Sequence, residues 1–265
     1  SFSASAATDY YCCELSGQDP CTERQFDTYI GSNPDLEAEE SETFSVGGEY
    51  AFMDGWVAGL SYFNLKVNNS IEYTSAQDQL NVDFQTSGNN PAVQRSATGQ
   101  VLEIAAGFQN GAAEFEYNGL DYVLRGRFET GYGDFNLSFN ASQYLEYSYE
   151  VTYGTGELAD AVGTLGFPEW RSNAYVNWNL NNWSANLALD YIGESQERIG
   201  DEQYDSWHTL SASIAYNLDS MGIIKIGATN LTDEDPLLDE TGVMADEYQY
   251  PITGRVVYVD YTLEF

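Results

Sequence analysis

The residues of this chain that could do chemistry are three cysteines, one histidine and a dense set of carboxylates. Cys12, Cys13 and Cys21 all lie in the first 21 residues. Clustered thiols could bind a metal, but a loop disulfide is the simpler use. Cys13–Cys21 and Cys12–Cys21 both remain open, and an odd count leaves one thiol over. His208 is the sole histidine and sits beside Trp207 where an alternating segment begins. A lone imidazole there reads as structural. No Ser-His-Asp set, histidine-rich metal motif or glycine-rich phosphate loop occurs in the sequence, so no catalytic residue is assigned and no enzyme is expected. Asp233, Asp235, Asp239 and Glu240 offer hard oxygen ligands to calcium, though without EF-hand spacing or its glycine.

Ring faces and cations are the remaining binding chemistry. Tyr10, Tyr11, Tyr153, Phe167, Tyr204 and Tyr248 fall in segments read as loops, where they could stack on a substrate. Arg125, Arg127 and Arg171 fall on the polar parity of alternating segments and are expected to face a wet interior. Lys plus Arg number 9 and Asp plus Glu 42, a formal net charge of −33. That excludes a nucleic-acid binder, which needs a basic face. It also disfavours a highly anionic ligand unless a cation intervenes. Aromatics at 15% exclude a disordered acidic tail.

Strands must position these groups. Val257, Val259, Tyr261, Leu263 and Phe265 share one parity, while Tyr258, Asp260, Thr262 and Glu264 share the other. Period two means a strand with one apolar and one polar face. The same rhythm recurs around Phe44–Phe52, Trp56–Tyr62, Leu120–Phe128, Phe135–Phe139, Trp170–Leu180, Trp183–Tyr191, Leu210–Leu218 and Ile224–Ala228, predicting nine strands. Short turns at 53–55, 131–134, 181–182 and 219–222 alternate with long loops at 68–113, 150–168, 193–206 and 232–253. This asymmetry suits an antiparallel transmembrane β-barrel better than a soluble sandwich. Trp56, Trp170, Trp178, Trp183, Tyr191, Trp207 and Tyr216, near strand ends, read as an interfacial girdle. Residues 1–41 read as an extracellular loop region with cysteines, and 42–265 as the barrel strands with acidic outer loops. The chain opens on Ser1 without a signal-peptide pattern, which reads as a mature or excised piece.

Several segments resemble TonB-dependent outer-membrane receptors. Asn33-Pro34-Asp35-Leu36-Glu37-Ala38-Glu39-Glu40-Ser41 is similar to the family's "NP-L-PE-S" strand start, with Ala38 where proline is usual. Gly119-Leu120-Asp121 resembles its "GLD" strand, and Gly166-Phe167-Pro168-Glu169-Trp170-Arg171 its "G-P-W-R" start. Ala228-Thr229-Asn230-Leu231-Thr232-Asp233 resembles its "NLFD" segment, followed by Gly254-Arg255 and the terminal Phe265. The resemblance implies the last nine strands of a 22-stranded barrel, with the plug domain absent from this chain. It implies uptake of a scarce bulky nutrient such as a siderophore, cobalamin, oligosaccharide or peptide. The implied partners are the N-terminal barrel and plug portion, the TonB energy-transducing complex, and outer-membrane lipid with lipopolysaccharide. No cofactor beyond calcium in the acidic loops is expected. A passive porin or adhesin barrel is the alternative.

Overall fold

The computed structural model describes residues 2–17, 21–111, 114–150, 158–197, 202–238 and 249–263. Nine strands form one antiparallel sheet: β1 (Glu40–Met53), β2 (Trp56–Asn68), β3 (Phe115–Thr130), β4 (Gly133–Glu150), β5 (Trp170–Leu180), β6 (Trp183–Ile192), β7 (Trp207–Asn217), β8 (Ile223–Thr229) and β9 (Val256–Thr262). They pair in chain order, each with its sequence neighbour, and a short strand Leu158–Asp160 joins β4. All nine expected strands are present. The tight connections β1–β2, β3–β4, β5–β6 and β7–β8 fall at the expected turns. Gly55 at φ 75° and Asn181 at φ 50° supply the left-handed backbone that such turns need.

Register explains the two faces. Leu137, Val176, Leu187, Ala212, Ala228 and Val257 line up across six strands. One row away, Phe128, Phe135, Trp178, Ala185, Ile214, Ile226 and Val259 do the same. Offset by one residue, Arg127, Asn136, Asn177, Asn186 and Ser213 form a polar row. A soluble sheet would turn its apolar rows toward a core. Here all but Ala228 keep some exposure, with Val257 and Val259 more than two-thirds exposed. That is the pattern of a sheet whose apolar face meets hydrocarbon. Trp56 stacks parallel to Phe128, and Trp183 lies 4.6 Å from Tyr216.

Trp207 departs from the girdle expectation. Its parity places it opposite Ile192 on the polar face, where it is buried with Ile192, Tyr250 and Leu237. Its indole N–H donates to the Asp235 carbonyl at 2.9 Å. The ring packs under the segment leading to β9 and is unavailable to lipid. No helix among the described residues is long and apolar enough to cross a membrane, which says nothing of strands.

Residues 1–43, 65–116 and 148–160 make a second compact unit. The stretches 1–41 and 68–113 were expected to be loops, but they hold regular structure. Strands Phe2–Ala7, Arg24–Gly31, Val101–Asn110 and Ile71–Thr74 pair in that order, with Val93–Arg95 also on Val101–Asn110. Helix α1 spans Tyr10–Ser16 and α2 spans Ala76–Gln85. Ser75 and Asp78 close a capping box at the start of α2. Ala7, Ala76, Leu80, Val93 and Ile104 form its core, with Phe26 and Val101 packed against them. The disulfide is Cys13–Cys21, and Cys12 is the free, half-buried thiol.

Candidate functional site

The family-like segments do structural work that can be traced atom by atom. A Cβ on Gly119 would stand 2.4 Å from the Gln143 carbonyl oxygen and 2.7 Å from the Phe63 ring, so glycine is the residue that fits there. Asp121 accepts a hydrogen bond from the Ser142 hydroxyl across the strand pair at 2.6 Å. Beyond β8, Asn230 at φ 49° accepts from the Glu234 N–H and donates to the Glu234 carbonyl. Asp233 then accepts the backbone N–H of Arg255 at 2.7 Å, while the Arg255 guanidinium reaches the Leu231 carbonyl at 3.2 Å. The Asn-Leu-Thr-Asp and Gly-Arg segments are therefore two halves of one clasp ahead of β9.

The site itself lies on the polar face, where β5 begins and β6 ends. Asn140, Asn173, Asp190 and Thr209 stand in one row across β4 to β7. The Asn140 amide donates to Asn173 at 2.9 Å, and Asn186 donates to Asn177 at 2.8 Å further along. A cavity of about 340 Å³ opens over the first row, lined by these four residues with Ser142, Arg171, Trp207 and Gln249. Gln249 is buried, and its Oε1 meets no hydrogen-bond donor among the described residues.

Arg171 also borders a second cavity of about 330 Å³ with Tyr117, Tyr144, Tyr147, Phe167 and Pro168. A β-bulge explains how three tyrosines meet there. Gly119 pairs with Tyr144 but Asn118 with Glu146, so Leu145 is the extra residue and the alternation of β4 shifts beyond it. Tyr147 and Phe167 approach to 4.2 Å between ring centroids. Two cavities sharing one arginine offer ring packing on one side and mixed donors and acceptors on the other.

The expected site residues divide accordingly. Arg171 and Phe167 come together here. Arg125 and Arg127 lie on the polar face as expected but are engaged by Glu49 at 3.0 Å and Glu129 at 3.5 Å. Tyr204 is only 5% exposed, and its hydroxyl donates to Glu202, so it presents no open ring face. Tyr10 and Tyr11 belong to the other unit. Tyr10 lies 6.2 Å from Phe84, and Tyr11 carries the Arg95 guanidinium 4.9 Å over its ring. Asp233 is engaged by Arg255. Tyr153, Tyr248, Asp239, Glu240 and Phe265 lie outside the described residues. Among the described residues no group of three or more His, Cys, Asp or Glu side chains is arranged to hold a metal ion. Gln249 and the tyrosines 117, 144 and 147 were not foreseen. The glycine inside β3 was the available signal for the bulge that gathers the tyrosines.

The other unit has its own polar centre. Arg95 donates through Nε and Nη2 to Asp83, at 2.8 and 2.5 Å, and through Nη1 and Nη2 to Asp9, both at 2.8 Å. Asp83 is fully buried, and Arg95 and Asp9 nearly so. Burial alone would lower the Arg95 pKa, but the hydrogen bonds and charges of Asp9 and Asp83 outweigh it and raise the pKa above the ordinary value. A raised pKa keeps the ion pairs complete below the unfolded-state value and loses them only as pH rises past the folded one. Arg95 therefore stays charged across the physiological range.

A family model described as TonB dependent receptor-like, beta-barrel, matches residues 1–231. A sequence search of curated proteins finds no match. Among solved structures, the chain is similar to a mutant of the ferric enterobactin receptor PfeA from Pseudomonas aeruginosa. The TM-score is 0.62 at 21% identity, over 88% of this chain and 32% of that one. It is also similar to the siderophore receptor PirA from Acinetobacter baumannii, with TM-score 0.61 at 17% identity, over 90% of this chain and 33% of that one. A pyoverdine-bound FpvA from P. aeruginosa follows at 0.54 and 12%, covering 84% and 27%. At these identities the likeness concerns the fold. The chain spans about a third of the length of the PfeA and PirA receptors.

Proposed function

The chain belongs to the TonB-dependent receptor β-barrel family, and from that premise we propose that it forms part of an outer-membrane receptor that imports a bulky nutrient by TonB-coupled transport. The family is one of receptors and transporters, not of enzymes. The observation that carries the reading is the nine-stranded antiparallel sheet with one open apolar face and one face of hydrogen-bonded Asn, Ser and Asp. Its outer strands β1 and β9 each keep one edge without a partner among the described residues. Hydrocarbon offers no water to satisfy such edges, so strands from elsewhere in the receptor complete the barrel, and a plug closes its lumen.

PfeA is a ferric enterobactin receptor and PirA a siderophore receptor, and a siderophore is one cargo in keeping with the fold. The charge of this chain narrows the choice. Arg125, Arg127 and Arg255 each face a carboxylate, and Lys66 faces two. A cargo of high negative charge would meet a field with few uncommitted cations. The reading therefore favours a neutral cargo, or one whose charge a metal ion balances.

The test is nutrient-limited growth and labelled uptake by cells lacking this protein, in backgrounds with and without TonB. Loss of one nutrient's uptake in both the receptor-deficient and the TonB-deficient strain is the expected result. Uptake that depends on this protein but proceeds equally without TonB would establish the passive-pore alternative.

A further inference from the structure

We propose that the cavity over β5, β6 and β7 is a subsite for a neutral polyhydroxylated ring, one sugar unit of a glycan-type cargo. The inference names a cargo class for the transport reading, though the binding step needs no energised membrane.

Three observations meet in this cavity. Arg171 and Asp190 both line it, yet neither forms an ion pair, with the other or with any other described residue. Among the described residues Lys66, Arg95, Arg125, Arg127 and Arg255 are each joined to a carboxylate. Here a donor-only guanidinium and an acceptor-only carboxylate share a wall and each keeps open valences. Gln249, 8% exposed, brings an amide oxygen that has no donor among the described residues, while its Nε2 is bonded to the Tyr250 hydroxyl at 3.2 Å. Buried acceptors are rarely left bare, and an empty one lining a cavity points to a donor supplied from outside. Third, the neighbouring Asn173 amide oxygen is already held by Asn140, which fixes its orientation before any ligand arrives.

The chemistry selects the ligand class. A polyanion would meet one arginine countered by Asp190. A polycation would meet Asp190 countered by Arg171. An apolar ring would leave the Gln249 oxygen and both charges unsatisfied, at the full desolvation cost. Adjacent hydroxyls are donors and acceptors at once. One diol can accept from Arg171 and donate to Asp190, and a further hydroxyl can donate to Gln249 Oε1. The cavity volume, about 340 Å³, lies at the small end of ligand pockets and suits one ring rather than a whole cargo.

The test uses the protein extracted in detergent from cells. Calorimetric titrations with maltotetraose, cellotetraose, xylotetraose and chitotetraose are compared with ferric enterobactin. At least one neutral tetrasaccharide should bind saturably. Asp190→Asn and Gln249→Leu should each weaken that binding tenfold or more, while Ile226→Val on the apolar face leaves it unchanged. Thermal melts of each variant show that folding is retained. Three results would each overturn the proposal: no tetrasaccharide binds; both variants bind as well as the parent; or the variants lose thermal stability alone, which assigns these side chains to packing against the plug. Uptake measured separately in TonB-deficient cells keeps the transport reading independent of this outcome.

Discussion

Arg95 shows what a single side chain can carry. Its guanidinium makes paired hydrogen bonds to two carboxylates and lies over the Tyr11 ring. Three polar groups buried together are tolerable only while each is satisfied. Asp83→Ala leaves Arg95 with one carboxylate partner and a void, and is expected to destabilise its unit by about 3–5 kcal/mol. Hydrogen exchange across α2 and the strand Val101–Asn110 measures the loss, and unaltered protection there would refute it. Little of this could be read in the sequence. Asp9, Asp83 and Arg95 are separated by up to 86 positions, and no local pattern announces a contact of that span. The cysteines show the same limit. Their count gave one disulfide and one free thiol, but the choice of Cys13 over Cys12 needed α1, which buries Cys13 and leaves Cys12 half-exposed.

At the scale of elements, strands were legible because alternation is a local property. A strand bearing one apolar and one polar face declares itself in five or six residues, and the register then lines up its apolar positions with those of its neighbours. Helix α2 was not legible. Its sequence, AQDQLNVDFQ, has few apolar residues, and only the Ser75–Asp78 capping pair marks its start. Trp207 was misplaced for a related reason. Tryptophan near a strand end suggests a girdle by residue type, whereas parity puts it on the other face. Where type and parity disagree, parity decides. Leu187 tests the apolar face directly. It sits mid-strand between Val176 and Ala212, and Leu187→Arg should cost about 2–4 kcal/mol of folding free energy in a bilayer. Urea titration in phospholipid vesicles reads it. A value near zero would mean that this face does not contact hydrocarbon.

For the whole molecule, the sequence foretold the sheet, its alternating turn lengths and its family, but not that the first 43 residues and 65–116 condense into a unit of their own. Glycine, asparagine and serine are spread through that unit at loop-like density, and its core is small. Its parallel pairing between Arg24–Gly31 and Val101–Asn110 joins segments some 75 residues apart, beyond the reach of any window of local periodicity. The candidate site was half visible for the same reason. Arg171, Asn173 and Asp190 announced their face by parity, while Gln249 arrives from an irregular segment whose path no rhythm predicts.

That small core, together with its disulfide and its buried charges, has a consequence for heating. A bilayer-embedded sheet and a disulfide-tied unit of mixed helix and strand draw their stability from different sources, so one temperature need not undo both. Differential scanning calorimetry of the detergent-solubilised protein should resolve two endotherms. Dithiothreitol should move the lower one down by several degrees and leave the upper in place. A single peak that shifts as a whole would mean that the two parts melt as one body.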